Sequence, residues 1–288
     1  MTTQMIHLIG FASGIAANNP GCGKGPLHMQ NSTCLQTLNI SWQDLLQVRE
    51  NKQGLDALPA IADIDTRLAE HISSLVQKQQ AFAVIGGDHS SAVGTWSGVY
   101  SAIQSKGELG LIWIDAHMDS HTPETTPSGN IHGMPLAALL GYGPQALCYI
   151  LEKKPKIKPQ NVCLIGVRSY ESGEYELLKR LGVRIFFMDE IKQQGMEKVM
   201  QNAITLATQN TAGFGLSIDL DAMDPEDAPG VGCPESDGIK AAEFCKSLRQ
   251  LRKQPSLLGL EIAEFNPNLD QQQKTEHLIC EILETVWE

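Results

Sequence analysis

The chain has 288 residues, of which 42% are hydrophobic and 19% are charged, a composition typical of a globular protein with a large core. Asp and Glu outnumber Lys and Arg by 33 to 22, so the formal net charge is −11. This composition excludes a disordered chain, a collagen-like chain and a small disulfide scaffold, and the negative charge argues against nucleic-acid and anionic-membrane partners.

Short apolar runs alternate with amphipathic segments along the chain. The sequence predicts strands at 5–10, 81–86, 109–115, 162–168, 184–188, 215–220 and 257–262, and helices at 58–76, 93–103, 134–142, 173–181, 190–209, 240–252 and 273–287. Because several strands are almost continuously apolar, we expect a mainly parallel sheet with helices on both faces. We expect one domain over residues 1–288.

The sequence gives little indication of a membrane span, a signal peptide or a disulfide framework. No apolar run reaches the ~20 residues that cross a bilayer. The first Lys or Arg in the chain is Lys24. A signal peptide begins with a positively charged segment, so this argues against one at the start. The seven cysteines are odd in number and contain no C-x-x-C pair, so we expect reduced thiols in a cytoplasmic protein rather than a disulfide framework.

Acidic and histidine side chains follow four of the predicted strands. In chain order they are His89, then Asp115, His117 and Asp119, then Asp219 and Asp221, and finally Glu264. In parallel sheets the carboxyl ends of the strands meet at one edge, where ligands bind. These side chains are therefore expected to lie together.

The four aspartates of this set predict a site for two metal ions. Burying several carboxylates costs many kcal/mol unless cations compensate them. Two divalent ions balance four negative charges, and the two histidines add neutral ligands. The D-x-H-x-D and D-x-D spacings place alternate side chains on one side of an extended chain. Carboxylate and imidazole without thiolate suit Mn²⁺, so we expect a two-metal hydrolytic centre.

Five sequence blocks resemble the ureohydrolase family, which includes arginase, agmatinase and formiminoglutamase. They are GGDHS (86–90), DAHMD (115–119), SGNIHGMP (128–135), SIDLDAMDP (217–225) and EIAEFNP (261–267), in family order. The third block is most like arginase. The resemblance implies an arginase-like α/β/α sandwich, a binuclear manganese centre, a small guanidino substrate and a homo-oligomer, a trimer or a hexamer.

The resemblance also implies a role for each matching residue. One manganese ion would be held by His89, Asp115, Asp119 and Asp219, and the other by His117, Asp115, Asp219 and Asp221. Asp115 and Asp219 would therefore bridge the two ions. Glu264 would receive the guanidinium group, because planar carboxylate–guanidinium pairing is strong. His132 would relay a proton, and Asp221 would accept a proton from the attacking water.

The sequence departs from the family pattern at the residues that bind the part of the substrate away from the guanidinium group. The residues that match this region are His121, Ser128, Asn130, Glu171 and Glu174. His121 stands where the family usually has Asn, so it would either bind a substrate carboxylate or block it. Glu171 replaces Asp and reaches about one methylene further, and Cys233 replaces a Thr near the guanidinium. The loop 14–25 also differs from the common arginase form.

These observations favour hydrolysis of L-arginine to L-ornithine and urea, because the pocket keeps groups for both an amine and a carboxylate. A second hypothesis is another ureohydrolase, acting on formiminoglutamate, agmatine or a related guanidino acid. A third is an inactive metal-binding relative, against which the intact ligand set argues. A histone-deacetylase-like hydrolase would need a different, mononuclear ligand set.

Overall fold

The computed structural model describes residues 5–17 and 20–287, and its strands form one parallel sheet. The strands are β1 (Ile6–Ala12), β2 (Ile40–Gln47), β3 (Phe82–Gly86), β4 (Glu108–Ile114), β5 (Val162–Val167), β6 (Arg184–Phe187), β7 (Thr211–Asp219) and β8 (Leu257–Ala263). Their order across the sheet is β2-β1-β3-β8-β7-β4-β5-β6, and every neighbouring pair is parallel. The predicted parallel sheet is therefore confirmed.

Helices cover both faces of this sheet. They are α1 (Gly25–Gln30), α2 (Leu58–Gln77), α3 (Ser91–Ile103), α4 (Pro135–Leu139), α5 (Gln145–Cys148), α6 (Ser172–Leu181), α7 (Met188–Gln194), α8 (Met196–Thr208), α9 (Ala241–Leu248) and α10 (Lys274–Trp287). One core layer packs against α2, α3, α4 and α6, and the other against α1 and α7 to α10. This arrangement is the predicted three-layer α/β/α sandwich. In the described part of the chain, no helix has both the length and the apolar character to span a membrane.

Several elements differ from the prediction, among them the short helices α1 and α5, which were not predicted. The strand Ile40–Gln47 was not predicted, because it lies at the edge of the sheet and most of its side chains are only partly buried. The predicted helix 190–209 is two helices that meet at Gly195, whose φ of 83° breaks the helical conformation. The helical spacing of apolar residues continues on both sides of Gly195, so the sequence pattern alone does not show the break.

The prediction of reduced thiols is wrong for two of the cysteines. Cys34 and Cys280 form a disulfide, with their Cα atoms 6.2 Å apart and 246 positions apart in the sequence. The bond joins the 3₁₀ helix Cys34–Thr37 to α10. The other five cysteines are free. The sequence offered no spacing signal, since the pairing depends on packing between distant segments.

Counting thiols tests this disulfide directly. Denatured protein that has not been reduced should titrate with five thiols per chain, and reduced protein with seven. The Cys34→Ser/Cys280→Ser variant should lose roughly 2–4 kcal/mol of unfolding free energy, because the long loop is no longer closed in the unfolded state. Seven thiols without reductant, or an unchanged denaturation midpoint for the variant, would contradict the bond.

Candidate metal centre

The predicted site residues lie at the carboxyl ends of four adjacent central strands. The strands β3, β8, β7 and β4 are neighbours in the sheet in this order. Because all four are parallel, the segments that follow them meet at one edge. The edge therefore combines His89 after β3, Glu264 after β8, Asp219 at the end of β7 with Asp221 just after it, and the 115–119 segment after β4.

The first cluster surrounds the imidazole of His89. Its Nδ1 atom lies 2.9 Å from Asp119 Oδ2, 3.2 Å from Asp219 Oδ2 and 3.4 Å from Asp115 Oδ2. All four residues are buried, and together they form a group able to hold a metal ion. The structure thus brings together the four residues that the resemblance assigned to one manganese ion.

The second cluster shares Asp115 with the first. His117 Nδ1 lies 3.2 Å from Asp221 Oδ2 and 3.5 Å from Asp115 Oδ1. Asp115 therefore directs Oδ2 towards the first cluster and Oδ1 towards the second. Asp219 Oδ1 instead accepts a hydrogen bond from the Asp221 backbone N–H at 2.9 Å. The bridging role of Asp219 stays a prediction.

The chemistry of the donor set fits divalent cations. His89 Nδ1 is buried without a hydrogen-bond partner among the described residues, although three carboxylate oxygens face it. Ring and carboxylate atoms about 2.1 Å from one octahedral ion lie about 3 Å apart, close to the observed separations. Burial raises the pKa of Asp219 well above its usual value, and the neighbouring carboxylates Asp221 and Asp115 raise it further. Added positive charge would relieve this repulsion.

The half-buried His132 and the buried Glu264 form a pair beside the two clusters. His132 Nδ1 lies 2.9 Å from Glu264 Oε1, which also accepts the His89 backbone N–H at 3.0 Å. A Cβ added at Gly232 would lie 3.3 Å from Glu264 Oε2, so the glycine leaves room beside that oxygen. Oε1 is therefore held by two protein groups, whereas Oε2 takes part in neither of these two contacts.

The backbone is strained at two of these predicted functional positions. Asp119 has a φ of 47° and Glu264 has a φ of 67°, both in the left-handed region that side chains other than glycine rarely adopt. Such strain concentrates at functional sites, where the surrounding structure holds the residue in place. At both positions the strained residue carries a carboxylate that contacts a histidine of the site, His89 for Asp119 and His132 for Glu264.

The residues predicted to bind the amino-acid end of the substrate do not all lie in contact with one another. His121 is 6% exposed, and its Nε2 lies 3.0 Å from Glu171 Oε2 and 3.4 Å from Glu174 Oε2. Ser128 is exposed, and its hydroxyl accepts the Asn130 backbone N–H at 3.2 Å. The His121 ring therefore lies against two acidic groups of the protein, and its role in binding a substrate carboxylate stays a prediction.

Glu171 and Glu174 also have a structural role. Glu171 precedes the first residue of α6 as its N-cap, and Glu174 lies in the first turn. Each side chain accepts a hydrogen bond from the other residue's backbone N–H, which is a capping box. Glu174 also accepts the Ser120 backbone N–H at 3.1 Å. The two glutamates therefore connect the start of α6 to the segment that carries Asp119.

The loop 14–25 and Cys233 lie beside the site. The backbone N–H of His132 donates to the Ala16 carbonyl at 3.2 Å, and Cys22 donates to the Glu264 carbonyl at 3.5 Å. Residues 18 and 19 of this loop lie outside the described residues. Cys233 is exposed; partial desolvation raises the pKa of its thiol to about 12, and the negative charges of Glu264 and Asp221 raise it further.

Comparisons with known proteins agree with this geometry. The family model described as "Arginase family" matches residues 4–287. The chain belongs to the arginase family. It is 40% identical to the arginase of Bacillus caldovelox over 94% of this chain and 93% of that protein. The family members are metal-dependent ureohydrolases, so this chain is a metal-dependent hydrolase.

Solved structures of the family have the same fold. The crystal structure of arginase from Bacillus cereus superposes with a TM-score of 0.92 at 33% identity, covering 99% of this chain and 98% of that one. Arginase from Entamoeba histolytica, solved in complex with L-ornithine, gives 0.91 at 28% identity, covering 100% and 99%. Formimidoylglutamase from Bacillus subtilis gives 0.80 at 20% identity, covering 99% and 86%, which shows the shared fold alone.

In this arginase-family chain, several supporting residues were not predicted from the sequence. The indole N–H of Trp113 donates to Asp115 Oδ2 at 2.9 Å. His89 Nε2 lies 3.1 Å from the Ser217 hydroxyl, which donates to Glu261 Oε2 at 2.7 Å. Such outer partners orient metal ligands. A signal was present, since Trp113 and Ser217 each lie two residues before an aspartate ligand, on the same side of the strand.

Arg168 and Asp88 hold the loops of the site in place. The Arg168 guanidinium donates to the carbonyls of Asp221, Ala222 and Glu235, at 2.8, 3.1 and 2.8 Å. The buried Asp88 accepts the Ala16 backbone N–H at 3.1 Å and the Ser13 hydroxyl at 3.2 Å. These contacts connect loops that are far apart in the sequence, so periodicity does not reveal them.

The His132–Glu264 pair should have a measurable titration. Burial opposes protonation of His132, but the Glu264 carboxylate raises its pKa to about 9. The pair's contribution to stability is therefore complete below the usual value of 6.5 and is lost as the pH rises through about 9. We expect NMR of metal-free protein to show a His132 ring titration near 9, which moves towards 6.5 in Glu264→Gln. His132→Asn assigns the signal, and an unshifted midpoint in Glu264→Gln would contradict the pairing.

Proposed function

We propose that this protein hydrolyses L-arginine to L-ornithine and urea at two manganese ions held by the two clusters. The observation that carries the proposal is the buried carboxylate of Glu264, which lies beside both clusters and uses only Oε1 in its contacts with His132 and with the His89 backbone N–H. A carboxylate and a guanidinium form charge-assisted hydrogen bonds, which position the guanidinium carbon. The similar arginases support the same substrate.

The ligand sets proposed from the resemblance are His89, Asp115, Asp119 and Asp219 for one ion and His117, Asp115, Asp219 and Asp221 for the other. When bound, two such ions supply a nucleophile at neutral pH by lowering the pKa of water. The choice of manganese is supported by the carboxylate and imidazole donors, which lack thiolate.

The protein's own groups then bind the substrate and move protons. Glu264 holds the guanidinium group, and Asp221 accepts a proton from the attacking water through its carboxylate. His132 donates a proton to the departing amine. Because His132 Nδ1 is paired with Glu264 at 2.9 Å, the carboxylate favours the protonated form of the ring. The same carboxylate thus orients the substrate and keeps the acid charged.

A second candidate substrate is agmatine, which has no carboxylate. The contacts of His121 with Glu171 and Glu174 favour this candidate, because two carboxylates of the protein already lie at its Nε2 atom. Ser128 and Asn130 remain the proposed carboxylate contacts, and Glu171 and Glu174 remain the proposed amine contacts for arginine.

A substrate panel tests the proposal. Manganese-loaded protein should release urea from L-arginine at least about tenfold faster than from agmatine or guanidinobutyrate, and should release no formamide from formiminoglutamate. Urea from agmatine but not from arginine would establish the second candidate instead. No turnover of any compound, with two metal ions bound per chain, would indicate an inactive metal-binding relative.

We also propose that the chain works as a homo-oligomer, a trimer or a hexamer, in the cytoplasm. The resemblance to ureohydrolases supports the oligomer, and light scattering after size exclusion measures it. The net charge of −11 supports the absence of nucleic-acid and membrane partners. Cytoplasmic reductants would favour the opened form of the Cys34–Cys280 bond, so the thiol count of protein purified under exclusion of air bears on the location.

A further inference from the structure

A third cluster of metal-ligating side chains lies outside the two clusters already described. It consists of His121, Glu171 and Glu174, whose ligand atoms all lie within 4.8 Å of one another. His121 and Glu174 are buried, whereas the Glu171 side chain is 59% exposed. We propose that this third cluster binds one divalent transition-metal ion of the zinc type, separate from the two manganese ions.

The distances fit tetrahedral coordination. Two ligand atoms that lie 2.0–2.1 Å from one tetrahedral zinc ion are about 3.3 Å apart. His121 Nε2 lies 3.0 Å from Glu171 Oε2 and 3.4 Å from Glu174 Oε2. The nitrogen–oxygen separations of the first two clusters cover the same range, from 2.9 to 3.5 Å. The third cluster therefore repeats their geometry with one histidine and two carboxylates.

The charges at the third cluster also favour a cation. Among the described residues, no Lys or Arg forms an ion pair with Glu171 or Glu174. Burial raises the pKa of Glu174 to about 8, and its contact with Glu171 raises it further. A divalent ion balances the charges of the two carboxylates.

The other ring nitrogen of His121 has the partner that a metal ligand needs. A histidine that binds a metal through Nε2 carries its proton on Nδ1, where a neighbouring acceptor fixes the tautomer. His121 Nδ1 lies 3.1 Å from the Thr125 hydroxyl oxygen. The capping box of α6 holds both glutamates, so all three ligands have fixed orientations. Exposure of Glu171 leaves solvent access for the ion and for a water as the fourth ligand.

Metal counting tests the third site. Manganese-loaded protein is dialysed against micromolar Zn²⁺, and both metals are measured per chain by mass spectrometry. We expect one zinc ion in addition to two manganese ions in the unmodified protein. His121→Asn and Glu171→Gln should each weaken zinc binding about 10- to 100-fold. Glu176→Gln is the matched control, because Glu176 is an exposed glutamate on the same helix, outside the cluster.

Three results would overturn the site. They are no added zinc in the unmodified protein, zinc uptake matched by an equal loss of manganese, and retention of the extra zinc by both cluster variants. Because Glu171 is exposed, Glu171→Gln keeps the inference testable if His121→Asn fails to fold.

A kinetic consequence rests on the proposed function. Zinc at this cluster would occupy the carboxylates proposed to receive the amino group of arginine. Zinc at about ten times its Kd should therefore raise KM for arginine about tenfold and leave kcat unchanged, in the unmodified protein and in Glu176→Gln. A fall in kcat with KM constant would contradict this competition. If the protein does not hydrolyse arginine at all, the proposed function fails, while the metal count still decides the third site.

Discussion

Replacing Asp115 with alanine, or Asp219 with alanine, will remove both metal binding and activity. Asp115 directs one carboxylate oxygen to each cluster, and Asp219 lies 3.2 Å from His89 Nδ1 in the first. Loss of either charge leaves the remaining carboxylates unable to hold two divalent ions. We expect activity to fall about a thousandfold or more, the equivalent of ~4 kcal/mol of activation free energy.

Metal content and thermal stability separate this result from misfolding. Manganese should raise the melting temperature of the unmodified protein, because an ion that binds only the folded state stabilises it. The shift should be lost in Asp115→Ala and Asp219→Ala. Asp63→Ala is the matched control, since Asp63 is exposed on α2, far from the site in the sequence. Full activity in either ligand variant would show that the assignment of that aspartate is wrong.

Replacing Glu264 with glutamine will remove substrate binding without removing the metals. Glutamine keeps an oxygen that accepts the His89 backbone N–H, but it loses the charge that pairs with a guanidinium. Truncating one partner of a buried charge pair costs 2–5 kcal/mol. We expect kcat/KM for arginine to fall about 150-fold, the equivalent of ~3 kcal/mol, at an unchanged metal content.

The distinction between metal and substrate roles depends on the paired measurements. Glu70→Gln makes the same chemical change on an exposed face of α2 and should leave kcat/KM within about twofold of the unmodified protein. If Glu264→Gln loses manganese, the glutamate supports the metal centre rather than the substrate. If it keeps both metal and kcat/KM, another group receives the guanidinium.

Much of the fold was predictable because its signals are local. A buried parallel strand is almost continuously apolar, as β3 and β4 are, and each predicted strand coincides with an observed one to within a few residues. The edge strand β2 was missed because its side chains are only partly buried. The break at Gly195 was missed because one left-handed residue does not interrupt the apolar spacing on either side.

The candidate metal ligands were predictable for a related reason. Each one lies within three residues of a strand end or two residues from another ligand, so spacing places it near the strand end. The long-range contacts of the other site residues could not be predicted from the sequence. His121 was predicted as a possible carboxylate binder, but the start of α6 brings Glu171 and Glu174 to its ring. That contact joins residues about 50 positions apart, which no local pattern encodes.

By itself, the sequence determined a parallel α/β architecture, an acidic chain and a set of histidines and aspartates suited to two divalent ions. These are properties of residue type and spacing. Only the tertiary structure decided that β3, β8, β7 and β4 are adjacent, that Glu264 pairs with His132, and that Cys34 meets Cys280. The physical reason is range: hydrogen bonds, ion pairs and disulfides form between atoms a few ångströms apart, and packing alone brings distant segments that close.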